Sequence, residues 1–215
     1  MNAKPDRRRR PGRPPAGHAD QRARLLDAAL ASFADKGIAA TSLRGLAQAA
    51  GLTPAMLNYY FGSRERLVDA VVEERLVPAI AELRQHLLPL LDGPGGELAR
   101  GFVAGLHATV ESHPWLPALW VREVLTEGGQ LRHVFREKIG PVIPKPLVER
   151  FAAAQASGQI NAQLDPRLLF VSLIGLTMLP FAAAPIWRRV FGADDIDSER
   201  MLAHTLALLE GGLSA

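Results

Sequence analysis

The sequence of 215 residues predicts an all-α protein, and three observations lead to that fold class. Apolar residues recur at helical spacing, for example at Leu43, Leu46, Ala47 and Ala50, which places them on one side of a helix. Glycine and proline stand where such segments end or begin, as they do at helix boundaries. No segment reads convincingly as a strand. We therefore expect a three-helix unit that contains a helix-turn-helix, followed by a larger helical domain.

Residues 1–18 form a basic segment that we expect to be disordered, because it is rich in arginine, proline and glycine. Five arginines and one lysine stand there against a single aspartate, so the net charge of +3 hides a positive end. This asymmetry suggests a polyanionic partner. The run Arg-Pro-Gly-Arg-Pro-Pro, which contains Arg10 and Arg13, is similar to hook-like segments that lie in narrow A·T-rich minor grooves. A nonspecific electrostatic arm is the alternative.

The domain predicted for residues 19–66 opens with a helix that begins near Asp20 and ends at Gly37. The next two helices are joined so tightly that they form the unit that places a recognition helix in a DNA major groove. Gly51 supplies the positive φ that a sharp exit from the first of these helices needs. The side chain of Thr53 can then cap the recognition helix.

The recognition helix offers an outward face for contact with DNA bases. Ala55, Asn58 and Tyr59 lie at i, i+3 and i+4, whereas Leu57 and Phe61 share the inward side. The amide of Asn58 can pair with an adenine through two hydrogen bonds. For Thr53 the alternative role is helix capping. For Tyr60 the alternative is a partly buried position in the core. The residues expected to contact DNA are Thr41, Ser42, Arg44, Thr53, Pro54, Ala55, Asn58, Tyr59, Tyr60, Arg64, Arg10 and Arg13.

The pattern of residues 20–70 resembles the DNA-binding domain of TetR-type bacterial transcriptional regulators. Its central part reads S-L-R-x-L-A-x-x-A-G-L-T-x-x-x-L-x-x-Y-F-x-S-R-E-x-L. The resemblance implies a homodimer that binds a palindromic operator in double-stranded DNA, usually as a repressor. It also implies a carboxy-terminal domain that binds a small molecule. Two residues depart from the pattern: Asn58 stands where the family most often has an aromatic residue, and Arg64 where it most often has lysine.

Residues 67–215 form the predicted effector-binding and dimerisation domain. Ser63 can cap a fourth helix that runs towards Leu87, and Pro78 should kink or end it. The sequence breaks clearly at residues 89–96, where proline and glycine cluster. Further helices are predicted at about 97–112, 115–127, 131–156 with a disturbance at 140–146, 166 onwards, and 198–210.

The segment from Leu168 to Trp187 contains no charged residue. Its length would nearly span a bilayer, but Pro180 and Pro185 interrupt it. We expect a helix buried on all sides in a core or a subunit interface, and membrane insertion is the alternative. The dimer interface implied by the resemblance would be built by residues 166–182 and 198–213.

Large apolar and aromatic residues concentrate in the middle of the second domain and suggest a ligand cavity. Such a cavity needs apolar walls and a few convergent polar groups, for which His107, Glu111, Arg122 and Glu123 are the candidates. A purely structural core is the alternative for the apolar members. The residues expected at the ligand site are Phe102, Leu106, His107, Trp115, Leu119, Trp120, Glu123, Phe151, Phe170 and Met178.

The composition excludes cysteine chemistry, and the motifs argue against catalysis. Without a cysteine, neither a disulfide nor a thiolate metal site can form, which fits a cytoplasmic protein. The chain has no nucleophile elbow, zinc-protease motif or phosphate loop, so we expect neither an enzyme nor a cofactor. His107 and Glu111 would supply only two metal ligands, so we expect no metal. A helical enzyme with these two residues as acid–base groups is one rival class, and a membrane-associated regulator is the other.

Overall fold

The computed structural model describes residues 16–213, with side chains from residue 19, and this part of the chain is helical without any strand. Three of its segments are π-helical, at Val72–Leu76, Val121–Leu125 and Phe135–Ile139, and Leu88–Leu90 is a 3₁₀ turn. The α-helices are α1 (Ala16–Lys36), α2 (Leu43–Ala49), α3 (Pro54–Phe61), α4 (Arg64–Val71), α5 (Val77–Leu87), α6 (Gly95–Ser112), α7 (Leu116–Trp120), α8 (Arg132–Val134), α9 (Pro144–Ala156), α10 (Pro166–Ala182), α11 (Ala184–Phe191) and α12 (Ser198–Leu213).

The first helix begins at Ala16, earlier than the sequence pattern suggested. Its start follows the last proline of the basic segment, because a proline fits at or before the first helical position but not further inside. The predicted disorder of residues 1–15 and the predicted contacts of Arg10 and Arg13 lie outside the described residues. The end of α1 is as predicted, since Gly37 has φ +86°.

Helices α1 to α4 pack around one small core. Leu26 and Phe33 of α1 are buried together with Leu46 of α2, Leu57 of α3 and Leu67 of α4. This core fixes α3 relative to α2, and apolar burial of this kind provides most of the stability of short helices. The amino-terminal three-helix unit with its helix-turn-helix is therefore present as predicted.

The predicted fourth helix is divided into α4, a π-helical segment and α5. The backbone N–H of Val77 bonds to the carbonyl of Val72, five residues back, which is the π-helical spacing. Pro78 follows as the second residue of α5, where its missing N–H costs little. The chain thus accommodates the proline by widening the turn before it, a change of register that the sequence pattern does not reveal.

Helix α6 lies at the centre of the second domain and packs against α5, α9, α10 and α12. Its buried positions include Leu98, Phe102 and Leu106. The predicted helix at 115–127 consists of α7 and a π-helical segment, and the predicted helix from residue 131 consists of α8, a π-helical segment, a turn and α9. The disturbance expected at 140–146 is thus a real break in the helix.

The uncharged segment forms two helices and not one. Helices α10 and α11 are bent by 69° relative to each other, and Pro185 lies in the first turn of α11. No single helix within residues 16–213 is long and apolar enough to cross a membrane, and only this bent pair reaches the required length and composition together. Within this chain the burial of α10 is one-sided, because Leu173 is fully buried while Leu168, Val171 and Leu179 are exposed, and burial of the exposed side in a subunit interface stays a prediction.

Candidate nucleic-acid interface and effector cavity

The recognition helix α3 is held by caps and by burial of its inward side. The side chain of Thr53 accepts a hydrogen bond from the Met56 N–H at 3.3 Å, and Pro54 occupies the first turn. Gly51 has φ +68°, which lets the chain turn sharply between α2 and α3. Leu57 is buried under the helix. The outer side of α3 is therefore presented in one orientation.

This outer side brings together the three residues that the spacing selected. Ala55 and Asn58 are exposed, and Tyr59 is 76% exposed, which is unusual for an aromatic side chain. Tyr60 lies half-buried instead, and its hydroxyl donates to Gln21 of α1 at 3.0 Å. Tyr60 therefore occupies the partly buried position that was its alternative. Ala55, Asn58 and Tyr59 remain accessible to a partner.

Helix α2 adds a cation and a hydroxyl near the same surface. Arg44 is exposed at the second position of this helix. Ser42 is exposed as well, and its side chain caps α2 by accepting from the Gly45 N–H at 3.1 Å. The first N–H groups of a helix favour an anion, so this end of α2 suits a phosphate.

Two predicted DNA contacts hold the protein itself together. Thr41 is 4% exposed, and its hydroxyl donates to the Gly37 carbonyl at 2.7 Å, so it does not face a partner. Arg64 directs its guanidinium inward, where Nη2 donates to the carbonyls of Ile38 and, at 2.7 Å, Thr41. Both side chains close the turn between α1 and α2, because the carbonyls of that turn have no helical partners. The assignment of Thr41 and Arg64 as phosphate contacts is corrected accordingly.

A cavity lies in the second domain between α5, α6, α7 and α10. Its volume is about 60 Å³, and every side chain that lines it is apolar. Six residues predicted for the ligand site line the cavity: Phe102, Leu106, Leu119, Trp120, Phe170 and Met178. The other lining residues were not predicted, and they are Leu76, Ile80, Leu83, Leu116, Val124, Leu131, Phe135, Ile139, Ile143, Pro144 and Ile174.

The four remaining predictions for the ligand site do not line this cavity. Phe151 is fully buried in the core, and the ring of Trp115 lies beside that of His113 in a tilted arrangement, with ring centroids 5.5 Å apart. His107 is 4% exposed and faces Ser198 of α12 at 3.3 Å. Glu123 points the other way, towards α1. The polar groups expected in the cavity wall are therefore used elsewhere.

The rival assignment of His107 and Glu111 as acid–base groups finds little geometric support. His107 Nδ1 lies 3.8 Å from a carboxylate oxygen of Glu111, which is half-exposed on the helix surface. Neither residue borders the cavity. Within the described part of the chain no three His, Asp or Glu side chains converge as metal ligands.

Charged residues connect the outer face of the first π-helical segment to α1. Arg22 of α1 pairs with Glu74, and the hydrogen bond from this guanidinium lowers the pKa of the Glu74 carboxyl below its ordinary value. Arg75 donates to Asp27 of α1 at 2.8 Å. The segment thus contacts α1 of the amino-terminal three-helix unit on one side and, through Leu76, the cavity on the other.

The exposed face of α10 borders a groove of about 650 Å³ that it shares with α11 and α12. Leu179 and Leu208 on its two sides are 62% and 53% exposed. Contiguous exposed apolar residues of this kind are typical of sites that bind another protein, a membrane or a ligand. This is the surface that the resemblance assigned to dimerisation.

Residues 25–71 match the family model described as "Bacterial regulatory proteins, tetR family". The regulator BetI of Burkholderia thailandensis is 31% identical over 104 residues, which cover 46% of this chain and 53% of BetI. The chain therefore aligns with about half the length of this relative. The repressor KstR2 of Mycobacterium tuberculosis is 24% identical over 196 residues, which cover 90% of this chain and 93% of KstR2.

Solved structures show the same fold along most of the chain. The ketosteroid transcriptional regulator KstR2 of Mycobacterium tuberculosis has a TM-score of 0.71 at 21% identity, with 91% of this chain and 95% of that chain covered. The fatty acid degradation regulator FadR of Bacillus halodurans has a TM-score of 0.63 at 18% identity, with 89% and 95% covered. The all-α architecture of both domains is confirmed by these similarities.

Proposed function

We propose that the chain is a TetR-type transcriptional regulator that binds operator DNA and releases it when a small molecule enters the second domain, a proposal supported by the family match over residues 25–71 and by the similarity to BetI and KstR2. The observation that carries this proposal is the exposed face of Ala55, Asn58 and Tyr59 on a helix fixed by caps and a buried inner side. Such a face fits a major groove, in which side chains near the start of the helix contact base edges. Repression is the action we propose, since KstR2 is named a repressor.

We propose that the DNA-bound form is a homodimer and that the operator is palindromic. Two recognition helices must lie about 34 Å apart to enter successive major grooves. The exposed apolar face of α10 and α12, with Leu179 and Leu208, is the surface that a second copy would cover around a two-fold axis. Operator DNA also defines the compartment, so we place the protein in the bacterial cytoplasm, where the chromosome lies.

The effector that we propose is a lipophilic molecule. The cavity wall consists of apolar side chains such as Phe102, Trp120 and Phe170, so it offers no partner for a polar or charged group. Two similar proteins are described as a ketosteroid transcriptional regulator and a fatty acid degradation regulator, and ketosteroids and fatty acids are largely apolar molecules. Their identity supports the class of ligand but not a particular compound.

The proposal is tested by selecting bound sequences from random double-stranded DNA with the full chain. We expect enrichment of a palindrome and, for Asn58→Ala, a loss of about 5- to 150-fold in affinity for that sequence, which corresponds to one bidentate base contact. Affinity for unrelated DNA should change little, because phosphate contacts dominate there. Gln85→Ala on α5 removes an exposed amide far from α3 and serves as the matched control.

Two results would contradict this function. One is the absence of any enriched sequence at moderate ionic strength. The other is an equal effect of Asn58→Ala and Gln85→Ala on the affinity for the selected palindrome. Sedimentation of Leu208→Arg tests the dimer separately, since a charge in the centre of an apolar interface should yield monomers. A monomeric unaltered chain would overturn the two-fold arrangement.

A further inference from the structure

A buried carboxylate joins the two halves of the chain at the turn before the helix-turn-helix. Glu123 is only 5% exposed. Its Oε1 accepts a hydrogen bond from the Ile38 N–H at 2.7 Å, and its Oε2 accepts one from the Gln130 N–H at 2.9 Å. Both oxygens are therefore satisfied by backbone amides, one from the DNA-binding domain and one from the second domain.

Glycines on both sides make this close approach possible. A Cβ atom at Gly37, which has φ +86°, would lie 3.1 Å from Oε1 of Glu123. A Cβ atom at Gly129 would lie 2.4 Å from the backbone oxygen of Glu123, closer than real Cβ atoms come to other atoms. The α1 exit thus approaches the side chain of Glu123 closely, and the loop after residue 125 approaches its backbone.

The same short stretch of chain also lines the cavity. Glu123 belongs to the π-helical segment Val121–Leu125, and its neighbours Trp120 and Val124 are cavity residues. The ring of Trp120 meets that of Phe135, in the third π-helical segment, with centroids 4.7 Å apart. A π-helical turn is a rare conformation that recurs at functional sites. A displacement of the wall at Val124 therefore reaches Glu123 directly.

The hydrogen bond from the Ile38 N–H to Glu123 is buried, whereas the one that Arg122 Nε donates to the Ala34 carbonyl of α1 at 2.9 Å is only partly buried. The ion pairs of Arg22 with Glu74 and of Arg75 with Asp27 are exposed to solvent, so water replaces them at little cost. The Ile38 N–H is fully buried and has a charged acceptor, and its separation from Glu123 leaves a buried donor unpaired. The bond therefore favours one arrangement of the two halves strongly over any other.

We propose that Glu123 is the positioning residue through which occupancy of the cavity reaches the DNA-binding domain, an inference that rests on the proposed function. In the structure the cavity has about 60 Å³ and the bond from the Ile38 N–H to Glu123 is formed. A ligand site for a molecule of ordinary size needs roughly 300–1,000 Å³, so the wall must move outward when a ligand enters. This movement breaks the bond to Ile38 and releases the turn that leads into α2. Operator affinity then falls within the range of about 5- to 150-fold that is typical of such coupling.

The test combines a filled cavity with the loss of the carboxylate in the full chain. Ile174→Phe adds a ring to the α10 wall and replaces the unidentified ligand, with Ile80→Phe on α5 as a second filling variant if the first fails to fold. Glu123→Gln keeps the size of the side chain but places an amide NH₂ where one of the two N–H groups needs an acceptor. Glu127→Gln makes the same change of charge at an exposed position nearby and is the matched control.

Two quantities are measured, the affinity for the DNA selected above and the hydrogen exchange of the Ile38 amide. We expect cavity filling to weaken DNA binding by about ten-fold and to speed exchange at Ile38, both in the unaltered chain and with Glu127→Gln. With Glu123→Gln the exchange should already be fast, and cavity filling should change the affinity by less than about two-fold, because coupled sites are not additive.

An equal effect of cavity filling with and without Glu123 would overturn the inference, and so would unchanged exchange at Ile38 in a folded, filled variant. The exchange measurement needs no DNA, so it tests the link between cavity and turn on its own. A chain that shows the expected exchange but binds no DNA would contradict the proposed function and leave the connection through Glu123 supported.

Discussion

Replacement of Arg64 by alanine separates a structural role from a role in phosphate binding. The guanidinium donates to the carbonyls of Ile38 and, at 2.7 Å, Thr41. Hydrogen bonds to a charged group each contribute about 1.5–3 kcal/mol, and the partial exposure of Arg64 reduces that value. We therefore expect Arg64→Ala to lower the free energy of unfolding by about 2 kcal/mol, or Tm by about 4–8 °C for a domain of this size.

The assay is thermal unfolding together with DNA binding over a range of salt concentrations. Arg64→Ala should weaken DNA binding without changing the slope of log K against log salt, because it removes no phosphate contact. Arg44→Ala, at an exposed position of α2, should leave Tm unchanged and reduce the slope by about 0.9, as one lost phosphate contact does. An unchanged Tm together with a reduced slope for Arg64→Ala would contradict the structural role and assign Arg64 to phosphate binding.

Three further predictions concern the amino-terminal segment, the ties to α1 and the cavity. Deletion of residues 1–18 should weaken DNA binding and flatten its salt dependence, and an unchanged slope would show that this segment does not touch DNA. Because Arg22 lowers the pKa of Glu74 in the folded chain, their pairing stabilises the fold above the ordinary pKa of 4.5, and that contribution is lost as the pH falls through the lower folded value. Chemical unfolding between pH 6 and pH 3 should therefore show a smaller loss of stability for Glu74→Gln than for the unaltered chain, and equal losses would exclude the pair as the cause. Trp120→Ala should weaken binding of a lipophilic probe such as a long-chain fatty acid and leave the DNA affinity unchanged. Phe102→Ala, at a fully buried position, should lower the free energy of unfolding by about 3–5 kcal/mol. If the cavity is only core, Phe102→Ala should fail to fold.

The DNA-binding domain was predictable because its signals are local. A cap such as Thr53, a left-handed glycine such as Gly51 and the spacing of Ala55, Asn58 and Tyr59 each depend on residues within one or two helical turns. Local interactions of this kind are fixed by backbone geometry, so the exposed face of α3 followed from the sequence alone. The helix bounds in this part of the chain agree within a few residues for the same reason.

The roles of long polar side chains were not predictable in this way. Arg64 and Glu123 bond to the turn after α1 across 26 and 85 residues of sequence. Their partners are backbone groups, which every residue carries, so no pattern of residue types marks the contact. Arg64 lies near the recognition helix and therefore suggested a phosphate contact, and Glu123 lies among apolar residues and therefore suggested a ligand contact. Both side chains instead bond to the backbone of the turn after α1.

The uncharged segment shows a third kind of limit, because apolar composition does not say what covers a helix. Leu173 of α10 is buried within its own chain, whereas Leu168 and Val171 of the same helix are exposed. The sequence predicted burial in a core or a subunit interface, but apolar composition alone could not say which residues face the core of the same chain. Pro185 lies in the first turn of α11, directly after the bend, so proline in the sequence marked the approximate place of the bend but not its angle.

The volume of the cavity connects specificity to regulation. An entirely apolar wall distinguishes ligands weakly, since one methylene contributes only about 1–3 kcal/mol, and it selects by size and shape. A cavity of about 60 Å³ must expand for a ligand, so the free energy of binding is divided between contacts and displacement of the wall. A molecule small enough to fit without expansion would bind but would leave the Ile38 N–H bonded to Glu123 and the DNA affinity unchanged. The effector is consequently distinguished from other lipophilic molecules by the displacement it causes, because a ligand shifts a conformational equilibrium only through its different affinity for the two states.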